Sequence, residues 1–380
     1  MGKTKSSRGA NPSQITKMAL VAKAGGRCEF KGCNKKVFLD DVTLLESNLS
    51  NVAHIIASSP EGPRGNDRSK QLSRDLDNLM LLCPDHHKVI DDNPNMFSEE
   101  ELKKMKKDHE QKVSDLLDYI ESPSSIILIL NAAIKNKKDV RVNFDKAKEA
   151  NLSAGFRSEM VPITISIDNH YNYKDENYWK YSEKKLIDDI DYYVKQRYFH
   201  DPGIVFSVFP LGPIPLIIKL GYLLGDSKTI NIFQKFRTPD SWVWQEKNKT
   251  NDFKVFLKKG DGTGTRVALV LSLTSAIETD RITDVVDVDT IYEISASIKG
   301  IDCIKSLEDL KAFWMQFQRV CDDIRNTSHA NTISIFPAIP VSAAFEIGRK
   351  YMVGVYPKID IYDEDNGFFK TISIGGNENE

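Results

Sequence analysis

Hydrophobic positions follow two regimes along the chain. From Ser13 they recur at helical spacing (Ile15, Met18, Ala19, Ala22), with Ser13 placed as N-cap and Gly25-Gly26 as the stop. Leu49, Val52, His54, Ile55 and Ile56 predict a strand within 49–57, Leu79–Leu82 predict a second, and a helix starts at Pro84. Between those strands, Ser58 to Arg74 is a polar loop rich in Gly, Pro and Arg. Ser98-Glu99-Glu100-Glu101 has the form of a capping box opening a long helix, with Leu102, Met105, Val113, Leu116 and Leu117 on its apolar side. Glu121-Ser122-Pro123-Ser124-Ser125 then marks a boundary.

Beyond it, strand-like runs alternate with helical ones. Val161–Ile167, Ile204–Phe209, Thr229–Phe233, Val267–Leu273, Thr290–Ser295, Thr332–Phe336 and Lys358–Tyr362 predict strands. Helices are predicted at Tyr178–Tyr198, Ile214–Leu224, Leu307–Asn326 and Ser342–Met352, so parallel sheets with helical crossovers are expected. An internal repeat sharpens this. Val205-Phe206-Ser207-Val208-Phe209-Pro210 mirrors Thr332-Ile333-Ser334-Ile335-Phe336-Pro337, and at the same offset Pro213 matches Pro340 and Gly221 matches Gly348. The repeat implies a duplicated Rossmann-like half. The run Gly260-Asp261-Gly262-Thr263-Gly264-Thr265 lacks a Lys after its last Gly and precedes a strand, so a hairpin turn is expected rather than a phosphate loop.

Composition adds bounds. A chain of 380 residues predicts two or three domains: 1–122 with a disordered tail over 1–11, a connector at 123–150, and 151–380 as two halves near 151–250 and 251–380. Lys+Arg (52) nearly cancels Asp+Glu (54), so a nucleic-acid surface must be a local patch. No apolar run approaches the roughly 20 residues needed to span a bilayer, and Met1–Asn11 lacks the apolar segment of a signal peptide, so a cytoplasmic protein without membrane contact is expected. Of five Cys, three gather near two adjacent His, which fits a zinc site better than a disulfide framework. Cys28, Cys33, Cys83 and His86 are the candidate zinc ligands, leaving His87 beside Asn78 and His54, although His86 and His87 could exchange roles. Hydrolysis of a phosphodiester needs a base for water and a cation on the phosphate, which suits His54 as base and Asn78 and His87 as metal-side groups. Arg64, Arg68, Lys70 and Arg74 are candidate phosphate contacts, weighed against a merely solvated loop. Lys103, Lys104, Lys106 and Lys107 read as the wet face of a helix.

The order His…Asn…His with interleaved Cys, from Cys28 to about Asp91, resembles the HNH endonuclease family, built on a ββα-metal unit. The resemblance implies His54 as general base, Asn78 as the middle residue, His87 as ligand of a catalytic Mg²⁺ or similar ion, and a structural Zn²⁺ on Cys28, Cys33, Cys83 and His86. Two departures stand out. His86 sits where the family more often has Cys, and Ala53 replaces an Asp that often ligates the metal, so Asp77, Asp85 or Asp91 must be considered.

The repeat, the run Val270-Leu271-Ser272-Leu273-Thr274-Ser275 and the ending Phe336-Pro337-Ala338-Ile339-Pro340…Gly348-Arg349 resemble a SAVED domain of two fused CARF-like halves. Joined to an HNH unit, they resemble the HNH–SAVED effectors of bacterial CBASS antiphage defence. That likeness implies a DNA endonuclease acting on double-stranded DNA, activated by a cyclic di- or trinucleotide. It further implies a homo-oligomer, a dimer without ligand and a tetramer or larger with it. Ligands of open α/β sheets lie outside the carboxyl ends of strands, here Pro210, Gly212, Ser272, Thr274, Ser275 and Pro337. Tyr178, Trp179, Trp242 and Trp244 are candidate stacking platforms for bases, with core packing the competing reading. Two other functions fit the residues: a restriction-type HNH enzyme whose second half reads DNA or modified bases, and a non-catalytic zinc-dependent DNA-binding regulator.

Overall fold

Ser13 caps the first helix, α1 (Gln14–Lys23), its hydroxyl accepting the Thr16 N–H at 3.1 Å, and Gly25 and Gly26 leave it at φ +59° and +66°. The computed structural model describes residues 8–135, 141–159, 161–168, 170–198, 203–226, 229–245 and 250–376. It divides into two units, Met1–Glu121 and Ser122–Glu380. Among the described residues no helix is long and apolar enough to cross a membrane.

In the first unit, β1 (Asn51–His54) and β2 (Leu79–Leu82) pair antiparallel, with Asn51 opposite Leu82 and His54 opposite Leu79. The short helix α2 (Ser69–Leu72) lies in the loop between them, and α3 (Pro84–Asp92) follows β2 directly. Every β2 side chain is buried, because α1 packs on that strand while Ala53, Ile55, Ile90 and Leu102 close the remaining core. Helix α4 (Glu99–Glu121) opens with the expected capping box: Ser98 Oγ accepts the Glu101 N–H at 3.2 Å, and Glu101 Oε2 accepts the Ser98 N–H at 3.0 Å. Its first turns bury Leu102, whereas Leu116 and Leu117, expected on the same apolar side, are exposed.

The second unit holds two sheets. The first contains β3 (Ser124–Ala132), β4 (Arg157–Ser158), β5 (Ile163–Ile167), β6 (Val205–Leu211) and β7 (Thr229–Ile232). Helix α5 (Phe144–Ser153) lies between β3 and β4, and α6 (Glu176–Ile190) runs through a π turn into α7 (Gln196–Tyr198); α8 (Ile214–Leu224) joins β6 to β7. The second contains β8 (Phe253–Lys259), β9 (Val267–Ser272), β10 (Thr290–Ala296), β11 (Thr332–Ala338), β12 (Lys358–Glu364) and β13 (Phe368–Ile374), with α9 (Thr279–Thr283), α10 (Leu307–Thr327) and α11 (Val341–Arg349) as connections. In both sheets four parallel strands run in the order second-first-third-fourth: β5-β3-β6-β7 and β10-β9-β11-β12. The repeat is therefore a duplicated fold.

Three expectations change. Residues 123–150, read as a connector, contain β3, the strand between β5 and β6. A parallel strand covered on both faces carries an unbroken apolar run, here Ile126–Leu130, without alternation to announce it. Fully buried Leu128 and Leu130 each contribute roughly 1.5–3 kcal/mol on burial. The glycine-rich run 260–265 is not a hairpin turn, since β8 pairs with β10 and not with β9. Of the tail expected over 1–11, residues 1–7 lie outside the described residues, and Gly9 is bonded to the folded unit, its N–H donating to the Ser58 carbonyl at 2.7 Å.

The two halves meet through α8 and α11, which cross at Gly221 and Gly348. A Cβ on Gly221 would overlap the Phe345 carbonyl, and one on Gly348 would overlap the Ile218 carbonyl. The matched glycines of the repeat thus exist for one helix crossing.

Candidate active site

The segment Arg27–Lys36 folds back on itself, with Gly32 at φ +86° in its turn, and Glu29 ties it to β2. The Glu29 N–H donates to the Leu81 carbonyl at 2.9 Å, and its Oε2 accepts the Leu81 N–H at 2.5 Å. This brings Cys28 and Cys33 against the end of β2, where Cys83 is N-cap of α3 and His86 stands one turn later. The four ligand atoms lie within 4.8 Å of one another. His86 Nδ1 is 3.2 Å from Cys83 Sγ and 3.9 Å from Cys28 Sγ. Tetrahedral bonds of about 2.0–2.3 Å give edges of roughly 3.5–3.8 Å, so the donor set fits a Cys₃His zinc site. His86 is further held by stacking on Phe30, with centroids 4.1 Å apart and planes at 10°. Burial pushes the Cys28 thiol up to about 12, so a bound cation is what would make its thiolate tenable there.

On the other side of α3 a different cluster forms. His54, half-buried at the end of β1, has Nε2 3.1 Å from the Ser73 carbonyl, which fixes the proton on Nε2 and leaves Nδ1 as the acceptor. Burial, with smaller effects of Arg8 and His87, holds its pKa below the ordinary imidazole range. His87 Nε2 stands 3.4 Å from Asp91 Oδ2 one turn along α3. Arg64 locks this end. Its Nε donates to the Ile55 carbonyl at 2.7 Å, Nη1 to the Ile90 carbonyl at 2.8 Å, and Nη2 to Asp91 Oδ1 at 3.1 Å.

Two roles read from sequence are corrected by these contacts. Asn78 is not a metal ligand: it is 2 % exposed, its Oδ1 accepts the Ile56 N–H at 2.9 Å, and its Nδ2 donates to the carbonyls of Ile56 and Leu72. It holds the chain that carries His54. Arg64 is not a phosphate contact, because its side chain is 6 % exposed and three acceptors surround it. Arg68 pairs with Glu99 at 2.9 Å, while Lys70 and Arg74 are exposed. Asp85 approaches Lys35 at 4.0 Å and Asp77 is exposed, so of the three carboxylates considered only Asp91 joins His87.

An HNH endonuclease family model matches residues 28–93, and a model for the SMODS-associated and fused to various effectors sensor domain (SAVED) matches residues 186–374. The chain carries an HNH domain followed by a SAVED domain. No curated protein matches it. Similar solved structures include the Acinetobacter baumannii Cap4 SAVED/CARF-domain containing receptor with the cyclic trinucleotide 2'3'3'-cAAA, at 14 % identity and TM-score 0.42, covering 81 % of this chain and 61 % of that one. The same receptor with 3'3'3'-cAAA gives 13 %, 0.41, 80 % and 61 %. The Moraxella osloensis Cap4 receptor gives 13 %, 0.36, 81 % and 60 %. The chain thus spans about three fifths of these receptors' length.

Within the second unit the expected aromatic platforms are mostly core. Tyr178, Trp179 and Trp242 are at most 2 % exposed, Trp179 donating to the Tyr173 carbonyl and Tyr178 to the Ala133 carbonyl, so none offers a face to a base. Trp244 is half-buried, with Nε1 bonded to the Ile232 carbonyl at 3.1 Å. The strand ends are also tighter than expected. The Leu273 and Thr274 amides both donate to the Ala338 carbonyl, at 3.0 and 2.8 Å, and a Cβ on Gly212 would lie 2.8 Å from that of Ala132. Pro210 and Ser272 are buried, Pro337 and Thr274 half-buried, and Ser275 exposed. A groove of about 930 Å³ is lined by Trp244 together with Trp314, Asn231, Lys311, Gln318 and Arg349. Trp314 was indistinguishable from core in the sequence, lying on an amphipathic helix between Phe313 and Phe317.

Proposed function

We propose that the chain is a DNA endonuclease switched on by a cyclic oligonucleotide, acting on double-stranded DNA without sequence preference in antiphage defence. The observation that carries the reading is the fixed tautomer of His54 beside the His87–Asp91 pair. With Nε2–H given to Ser73, Nδ1 is the lone pair aimed to take a proton from water, and a lowered pKa keeps it available at neutral pH. One imidazole and one carboxylate, His87 and Asp91, are a donor set for a divalent ion that retains waters. Such an ion supplies charge stabilisation on the phosphate. Asn78 and Arg64 then position the base and the carboxylate, and a zinc held by Cys28, Cys33, Cys83 and His86 would fix the start of α3, from which His87 projects.

For the sensor, the groove at Trp244 and Trp314 offers half-buried indoles beside cationic side chains, the chemistry that stacks bases and meets phosphates. Activation through assembly, from dimer to tetramer or larger, would bring single-strand-cutting sites together on both strands. The test is plasmid cleavage with Mg²⁺, with and without a panel of cyclic di- and trinucleotides. Cleavage appearing with one member supports the reading; cleavage indifferent to all of them favours the restriction-type alternative, and none under any condition favours the non-catalytic regulator.

A further inference from the structure

We propose that Arg8, on the arm preceding α1, belongs to the nuclease site and binds a phosphate of the DNA next to the bond being cut. The proposal rests on the nuclease reading and adds a substrate-contacting residue that the His…Asn…His pattern does not contain.

The arm is seated. Gly9 N–H donates to the Ser58 carbonyl at 2.7 Å, and Arg8 Nε donates to Ser58 Oγ at 3.2 Å. Gly9 also lies flat against the loop that follows β1: a Cβ there would come within 2.5 Å of the Ser73 side chain and 3.3 Å of Lys70 Cα. Only glycine permits so close an approach. Both residues that seat the arm belong to the base. Ser58 follows His54 by four residues, and the Ser73 carbonyl is the acceptor that orients its imidazole. The Arg8 charge is felt at His54, where it favours the neutral ring. Arg8 is exposed, as are Lys70 and Arg74 on the segment its neighbour packs against. A planar guanidinium matches phosphate bidentately in a way a lysine does not. Arg64 gives its guanidinium to carbonyls and Asp91, and Arg68 gives its own to Glu99, while Arg8 reaches the His54 side from the seated arm, where exposed Arg74 follows Ser73.

The experiment uses the full chain with Arg8→Ala, Arg8→Lys and His54→Ala. Duplex binding is measured by anisotropy across a salt series without added Mg²⁺, and plasmid cleavage with Mg²⁺ and an equimolar mixture of cyclic di- and trinucleotides. Loss of one phosphate contact should flatten the plot of log K against log salt by about 0.9. We expect that change in Arg8→Ala with cleavage reduced roughly 10- to 100-fold, partial rescue in Arg8→Lys, and an unchanged slope in inactive His54→Ala. Arg8→Ala with the wild-type slope overturns the proposal, whether cleavage survives or is lost through a displaced arm. In that case an inactive His54→Ala leaves the nuclease reading standing. If His54→Ala cleaves at the wild-type rate, the assignment of His54 as the base fails and the proposal with it, and if the wild-type chain cleaves under no condition the nuclease reading itself fails.

Discussion

Asn78 brackets the main chain of a single residue, Ile56: its Oδ1 takes the Ile56 N–H and its Nδ2 gives to the Ile56 carbonyl, both at 2.9 Å. Ile56 lies two residues after His54, so the bracket sets where the base stands. Asn78→Ala leaves both groups buried without partners, at about 1–3 kcal/mol. The melting temperature of the HNH domain should drop and cleavage should be lost, while duplex affinity at low temperature is kept. An Asn78→Ala protein that melts and cuts like wild type would show that the bracket is dispensable.

His54→Ala should lower the cleavage rate by about 10²–10⁴ with DNA and cyclic-nucleotide binding intact. Because burial holds His54 below the ordinary range, the neutral base predominates at pH 7. The acid limb of the wild-type rate profile should therefore have its midpoint below roughly 6.5. A midpoint above that value would assign the limb to another group.

Cys33→Ser should remove one zinc per chain by elemental analysis and lower the unfolding temperature of the HNH domain, since metal binding and folding are coupled in a unit this small. Wild-type protein free of zinc after purification in metal-containing medium would contradict the site.

Light scattering across a titration with the activating cyclic nucleotide should show mass rising from a dimer toward a tetramer or beyond, in step with cleavage. A ligand can shift an assembly equilibrium only through its differential affinity for the arrangements in it. Cleavage that switches on at constant mass would replace assembly by a local hinge.

Gly221→Ala should destabilise the SAVED domain by about 1–3 kcal/mol, because its methyl meets the Phe345 carbonyl of the crossing helix. Gly348→Ala should do the same, and the double variant should cost less than the sum, since both relieve strain by the same helix displacement. Additive losses in denaturant melts would mean that the two contacts relax independently.

The Cys28, Cys33, Cys83 and His86 cluster was legible because its chemistry is rare: few soluble folds place Cys, Asp and two His within five residues without a metal to hold. The repeat was legible for a similar reason, two prolines and a glycine recurring at one offset. Other features were hidden by degeneracy of type. Asn78 reads identically as metal ligand or as clamp, and only its partners Ile56 and Leu72 decide. Arg64 looked like a loop cation, yet three acceptors converge on it from Ile55, Ile90 and Asp91, a fact of three-dimensional proximity with no local signature. Tyr178 and Trp179 sit on the face of α6 that also carries Leu186 and Ile190, so their ring chemistry was outweighed by position. β3 was missed because a doubly covered strand has no period to detect.

The crossing at Gly221 and Gly348 has the form of an isologous contact, each helix offering the other the same surface, but inside a single polypeptide. An ancestral pair of separate subunits would have been bound to change both faces at once. Fusion removes that constraint, and the residues around the pseudo-twofold have used the freedom. At the offset that relates the two glycines, Lys219 corresponds to Glu346, opposite charges at equivalent places: Lys219 pairs with Glu183 at 2.8 Å and Glu346 with Arg349 at 2.8 Å. A receptor assembled from two identical subunits must offer the same surface to both sides of a ligand. A fused pair can offer each side a different surface, and so suits a ring whose nucleotides or linkages differ around its circumference.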